Sequence, residues 1–460
     1  MASVADEVNV DRVLDAARFA GLPIIVMCCA TLVLVLDGFD LQIIGFVAPL
    51  LATDFHVERS QLAPVLAASL FGMAIGSFAV GTFGDRWGRR PALLGSVALF
   101  GLTTLLGASS ANLWVLAAWR FLTGIGLGGA LPNATALMAE FAPPRWRNQA
   151  IALAIVGVPL GGMLGSALAA EILGAYGWRV LFVIGGALPL LAAAGMHFVL
   201  PESPRFLATK GRSKELAALL NRITGANAYR MEQRYTTDHT AAAAAGVRTL
   251  FSQELWRDTL ATWLIFASNS VAIYAFFSWS PVVLTSLGFD IATAVKGSFY
   301  FNLAGIIGAV ANAWLIARVG SRAPVAMMAA VAATALFLLG QLTPIAALDA
   351  SSTPSVHVLM TGIAFAGLGI NAVQIGMYAV SAHVYPTVCR ASGVGWALGA
   401  GRVGGILSAF YGGALLAQSG GRGFFIGVGC ALVVAFAGIL LIRRHIPPTE
   451  RLKSSMSIAP

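Results

Sequence analysis

The chain has 460 residues, 58% of them hydrophobic and 11% charged, with a mean hydropathy of +0.81. Soluble domains carry about 25% charged residues, so a water-soluble fold is excluded. The net charge of +9 does not mark a nucleic-acid binder, because Lys and Arg gather in alternate loops between apolar runs. Those runs approach the ~20 residues that cross a ~30 Å hydrocarbon core, and they lack the two-residue alternation of a membrane barrel. The composition specifies an all-α polytopic membrane protein.

Residues 1–20 carry Asp6, Glu7, Asp11, Arg12, Asp15 and Arg18 and read as an amphipathic or disordered lead without a cleavable signal. Span 1 follows, about Leu22–Pro49, and holds Asp37-Gly38-Phe39-Asp40-Leu41-Gln42. Spans 2–6 are expected at about Leu62–Phe83, Ala92–Gly107, Leu113–Phe141, Ala150–Leu173 and Trp178–Leu200. Residues 201–257 are the longest polar stretch, rich in Arg and Lys, and read as a linker. Spans 7–12 fall at about 258–287, 297–317, 324–342, 356–383, 392–417 and 424–442, before a basic tail at 444–460. Domains are therefore expected at 21–200 and 258–443. The basic loops place both termini on the cytoplasmic side.

The two halves repeat. At one constant offset Gly124-Ile125-Gly126 falls on Gly367-Leu368-Gly369, Pro143 on Pro386 and Arg147 on Arg390. At a second offset Pro49 falls on Pro281, Arg86 on Arg318, Gly88 on Gly320 and Arg90 on Arg322. Two six-span halves around a linker are the parallel-repeat plan of a rocking carrier. Under the second offset Asp37 falls on Asn269 and Asp40 on Ala272, so the intramembrane acids belong to the first half alone.

A carboxylate in hydrocarbon costs about 2.5–3.5 kcal/mol on insertion scales, so Asp37 and Asp40 are read as functional, with proton handling as the expected role. Residues three apart on a helix share one face, and Gly38 between them permits close helix approach. Arg120 opens span 4 and Arg402 lies inside span 11. A guanidinium grips a carboxylate with two parallel hydrogen bonds, so Arg402 is the first candidate for an anionic substrate. Arg120 is the second, or else a partner for the span 1 acids. Tyr274, Asn371, Gln374, Tyr378 and Trp396 supply the aromatic and amide groups that a ring-bearing ligand needs. Cys28, Cys29, Cys389 and Cys430 have no metal or disulfide spacing and read as small buried hydrophobes. No metal site, cofactor or nucleophile–base set is expected, which argues against an enzyme.

Gly81-x-x-x-Asp85-Arg86-x-Gly88-Arg89-Arg90 between spans 2 and 3 resembles the signature loop of the major facilitator superfamily. Arg120-Phe-Leu-Thr-Gly124-Ile-Gly126-Leu-Gly128-Gly129 resembles its span 4 motif, and Pro201-Glu202-Ser203-Pro204-Arg205 is common after its span 6. Within it, Asp37-Gly38-Phe39-Asp40-Leu41-Gln42 and Tyr385-Pro-Thr-x-x-Arg390-x-x-Gly393-x-Gly395-Trp396-x-x-Gly399-x-Gly401-Arg402-x-Gly404 resemble the aromatic acid:H⁺ symporter family. The resemblance implies twelve helices in two pseudo-symmetric bundles and proton-coupled import of a hydroxybenzoate-like carboxylate across a bacterial inner membrane by a monomer. It also implies a gating network of Asp85, Arg86, Arg89, Arg90, Glu140, Arg147 and Arg390 that pairs across the halves. Gly157-Val-Pro159-Leu-Gly161-Gly162 partly matches an antiporter-associated motif and keeps an exporter or antiporter as the alternative.

Overall fold

A computed structural model describes residues 7–237, 247–343, 355–386 and 389–448. The first half contains α2 (Leu22–Asp54), α3 (Ala63–Trp87), α4 (Arg89–Gly107), α5 (Leu113–Phe141), α6 and α7 (Pro144–Ile155 and Gly157–Tyr176) and α8 (Trp178–Val199). The second half contains α11 (Trp256–Ser286), α12 (Ile291–Val319), α13 (Arg322–Leu342), α14 (Val356–Val384) and α15 (Arg390–Leu441). Among the described residues, eleven helices are long and apolar enough to cross a membrane. The last of them, Ser392–Leu441, has 50 residues, about 75 Å of helix and more than two hydrocarbon thicknesses. Its backbone leaves helical geometry at Gly420, where φ is +59°, a value glycine adopts without steric cost. Two passes meet there, giving twelve.

Charge and turn chemistry set the ends of these helices. Asn112 caps α5 by accepting from the backbone N–H of Trp114 and Val115, and Asp290 caps α12 through Thr293 N–H, each satisfying donors that a helix start leaves orphaned. The hydrogen bonds to the Asp290 carboxylate hold its pKa below the usual range. Gly88 (φ +114°) and Gly320 (φ +85°) turn the chain at matching places in the two halves, between α3 and α4 and between α12 and α13.

Small elements decorate the end of the molecule where the linker lies. Strand β1 (Glu7–Asn9) pairs in parallel with β2 (Arg234–Thr236), and α1 (Val10–Ala16) buries Val10 and Leu14. Ion pairs Asp11–Arg205 and Asp15–Arg147 tie this lead to the linker and to α6. The linker forms α9 (Pro204–Thr209) and the amphipathic α10 (Ser213–Thr224), which buries Leu216, Leu219, Leu220 and Ile223. The expectations for residues 1–6, for parts of the linker and for the tail beyond 448 lie outside the described residues.

The halves meet along α2 against α11, α3 against α15 and α7 against α12. Close approach explains the glycines of α2. A methyl group on Gly38 would collide with the Val158 carbonyl of α7, and one on Gly45 with the Phe277 carbonyl of α11. The expectation of buried cysteines fails for Cys28 and Cys430, which are exposed. In a bilayer an apolar side chain has no need of protein cover, because hydrocarbon surrounds it.

Candidate functional site

Asp37 and Asp40 lie at the midpoint of α2, one turn apart, and the fold sends them to different partners. Asp40 is enclosed by the first half. Its Oδ2 accepts from Arg120 Nη1 at 2.9 Å and its Oδ1 from Thr104 Oγ1 at 2.6 Å. Arg120 Nη2 also donates to the Asp40 carbonyl at 3.0 Å and to Ser69 Oγ at 3.4 Å. Both charged side chains are 0% exposed, and the Phe182 ring lies 6.0 Å from the guanidinium. In so dry a place, breaking the pair would strand an uncompensated charge. Arg120 is therefore engaged on Asp40 and presents no surface to a ligand.

Asp37 belongs to the contact between halves. The opposite charge acting on it comes from Arg402 of α15, and its own charge is felt at Tyr274 of α11. Asp37 is 3% exposed, and its Oδ1 has no hydrogen-bond partner. Arg402 Nη1 donates to Tyr274 Oη at 3.3 Å and to Met73 Sδ of α3 at 3.8 Å. The Arg402 side chain is only partly buried, so this guanidinium has donors to spare.

A chain of polar groups continues the site within the second half through Tyr378, which lies close enough to Tyr274 to act on it electrostatically. Asn269 Nδ2 donates to Gln374 Oε1 at 2.8 Å and Gln374 Nε2 to Tyr378 Oη at 3.5 Å. Asn371 is turned elsewhere, with its amide donating to the Gly367 carbonyl at 3.0 Å and packing over Gly305 of α12. Trp396 is not brought to this group either. It is 48% exposed and stacks on Trp263 at 5.7 Å. The expected substrate set thus separates into Tyr274, Gln374, Tyr378 and Arg402, which cluster, and Asn371, Arg120 and Trp396, which do not.

Beside the acids the halves are stitched by two amides. Gln42 Nε2 donates to Asn302 Oδ1 at 3.3 Å, and Asn302 Nδ2 donates back to Gln42 Oε1 at 2.9 Å. Both residues are 0% exposed. Gly162 of α7 makes room, since a methyl group there would overlap the Gln42 amide. The close packing of Gly161 and Gly162 on α2 accounts for that glycine stretch without invoking exchange.

The expected gating residues at the linker end are held within their own halves. Asp85 pairs with Arg89 one turn along, Arg89 donates to Asn133, and Glu140 accepts from Ser203. The backbone N–H of Arg90 donates to Glu202 at 3.1 Å, and Gly88 lies against the same carboxylate. Arg86 lies over Trp87, Arg147 pairs with Asp15, and Arg390 Nε donates to the Tyr385 carbonyl at 3.3 Å. Gly81 has open space where a side chain would be. Among the described residues these contacts all stay within one half, so the expected pairing across the gap is not made there. Thr104, Ser69, Met73 and the Gln42–Asn302 match were not anticipated. Thr103-Thr104 inside an apolar run was the available signal for the first.

The Major Facilitator Superfamily profile matches residues 30–348. The chain belongs to that superfamily. The 4-hydroxybenzoate transporter PcaK of Pseudomonas aeruginosa is 35% identical over 85% of this chain and 86% of its own length. The gallate transporter of Pseudomonas putida is 33% identical over 94% of this chain and 92% of its own. Among solved structures, the partially occluded inward-open xylose transporter XylE from E. coli superposes with a TM-score of 0.73 at 18% identity, covering 93% of this chain and 99% of that one. The facilitator fold therefore frames every contact described above. The relatives are transporters, not enzymes.

Proposed function

We propose that this facilitator imports an aromatic carboxylate together with protons, as a monomer in the bacterial inner membrane with both termini cytoplasmic. The halves at 21–200 and 258–443 rock about the 201–257 linker, driven by the proton gradient and needing no cofactor. The observation that carries the reading is the unpartnered, buried Asp37 oxygen beside the Tyr274–Arg402 pair. The names of the relatives, transporters of 4-hydroxybenzoate and gallate, supply the substrate class.

In this reading the substrate carboxylate docks on the free edge of Arg402, oriented by the Tyr274 hydroxyl. Tyr378 and Gln374 meet the ring and its substituents. When the substrate's charge occupies Arg402, Asp37 loses its counter-charge, and a proton restores neutrality in a low-dielectric site. Loaded with both, the cluster carries little net charge and the halves can reorient. Asp40, held by Arg120 and Thr104, keeps α2 in register while Asp37 cycles.

The test is uptake of a labelled panel (benzoate, 4-hydroxybenzoate, protocatechuate, gallate, vanillate and a sugar) with and without a protonophore. Protonophore-sensitive accumulation of an aromatic acid is expected, lost in Asp37→Asn and weakened in Arg402→Lys mainly through KM. Efflux alone, or full uptake by Asp37→Asn, would overturn it.

A further inference from the structure

At the linker end of the first half a cleft of about 670 Å³ opens between the α3–α4 turn with the end of α8 and the linker helix α10. Its walls are mixed. Leu94, Leu207 and Leu219 supply an apolar floor, and Arg90, Arg212 and Arg222 stand around it. The acids of the cleft are already engaged. Glu202 accepts the backbone N–H groups of Arg90 at 3.1 Å and Ser203 at 2.8 Å. Glu215 is gripped by two nitrogens of Arg212, at 2.8 and 2.6 Å. Glu202 keeps its charge when it accepts from neutral N–H groups, so three arginines against two carboxylates leave one cation in excess. Arg90 donates one Nη to the His197 carbonyl, while its Nε is buried without a partner. Arg222 has no ion pair among the described residues.

The mouth of the cleft lies in an aromatic belt. Trp87 is 60% exposed, Phe83 stacks on it at 5.7 Å, and Phe198 on α8 is 87% exposed. An exposed Trp at a helix end marks the level of the lipid headgroups. The second half treats the matching turn differently. There Ser321 N–H donates to the Ile446 carbonyl at 2.9 Å and Pro448 packs on Gly320, so the chain's own tail covers the turn.

We propose that this cleft binds the phosphate of an anionic phospholipid, with Arg90 and Arg222 as the anion's donors and the leucine floor beneath the glycerol and first acyl carbons. Guanidinium nitrogens are suited to phosphate oxygens, and an excess of cation at a headgroup-level cleft selects an anionic lipid over a zwitterionic one. The lipid would bridge α10 to the α3–α4 turn.

The experiment is native mass spectrometry of the full-length protein titrated with phosphatidylglycerol or phosphatidylcholine, for wild type, Arg222→Glu and Arg222→Lys. Arg222 is exposed, and thermal melting is the control that each variant is folded. Wild type is expected to retain phosphatidylglycerol over phosphatidylcholine. Arg222→Glu should lose about thirtyfold of that preference, because it differs from wild type by two unit charges beside a headgroup whose net charge is what separates the two lipids. Arg222→Lys should keep most of it, and inorganic phosphate at equal concentration should not displace the lipid. Equal retention of the two lipids, equal retention by Arg222→Glu, or displacement by inorganic phosphate would each overturn the proposal.

Discussion

Asp37 and Asp40 are the same residue type one helical turn apart, yet their surroundings ask different things of them. Asp40 sits in a closed set of donors from Arg120 and Thr104, so in the proposed cycle it is the structural member of the pair. Replacing Arg120 with leucine should therefore cost stability, about 3–5 kcal/mol for an orphaned buried charge. Thermal unfolding in detergent should recover most of that loss in the Arg120→Leu/Asp40→Asn double variant, while uptake stays impaired. Asp37→Asn should melt close to wild type, because its carboxylate oxygen makes no bond that folding requires. The presence of two intramembrane acids was legible in the sequence. Their division was not, because the side a residue faces depends on which helix crosses it. Arg120 shows the same limit: its place near the start of span 4 allowed a reach toward the membrane surface, and only the packing of α2, α4 and α5 encloses it.

At the scale of elements, apolar runs located the helices well, since every residue that crosses hydrocarbon must be compatible with it. The break at Gly420 falls in the short gap expected between spans 11 and 12. The β1–β2 ribbon escaped notice because three-residue strands carry no readable period. The Gln42–Asn302 pair escaped because their 260-residue separation leaves no local trace. Its energetics give a directional prediction. Gln42→Leu leaves the Asn302 carbonyl oxygen buried and unserved, at about 1–3 kcal/mol, only while the halves are closed there. Spin-label distances across α2 and α12 should shift toward separated halves by about five- to a hundredfold in population. In contrast, Gln42→Leu/Asn302→Leu should restore the closed distance. A second prediction concerns the tail. His445 lies between Ser321 Oγ at 3.1 Å and the Ile439 carbonyl at 3.2 Å. Burial holds its pKa below the ordinary imidazole value of 6.5, and Arg322 pushes it the same way. The folded protein thus favours neutral His445 and the unfolded chain binds the proton more readily. The stability this contributes is present above pH 6.5 and lost as pH falls through the lower folded value. Melting temperatures of wild type should fall more steeply than those of His445→Gln over that interval.

On the scale of the whole molecule, the two ends are built on different principles. At the linker end each half keeps its charges to itself: Asp85 with Arg89, Glu140 with Ser203, Asp15 with Arg147, Glu254 with Arg444. Those side chains are satisfied before any contact between halves is made, so they do not resist separation. If they re-pair across the gap when the halves close, Asp85→Asn should slow the return step, read as a lower rate of counterflow with unchanged substrate affinity. Between the halves themselves, by contrast, Gly45 admits backbone contact and the amides bond in a space with no room for solvent. Such a seam cannot slide apart gradually. Each amide must exchange its partner for water in the same event, so hydration of the seam and separation of the halves are one step. The turnover of this carrier should accordingly respond to water activity: osmolytes excluded from narrow crevices would slow reorientation while leaving binding at Arg402, already partly open to solvent, almost untouched.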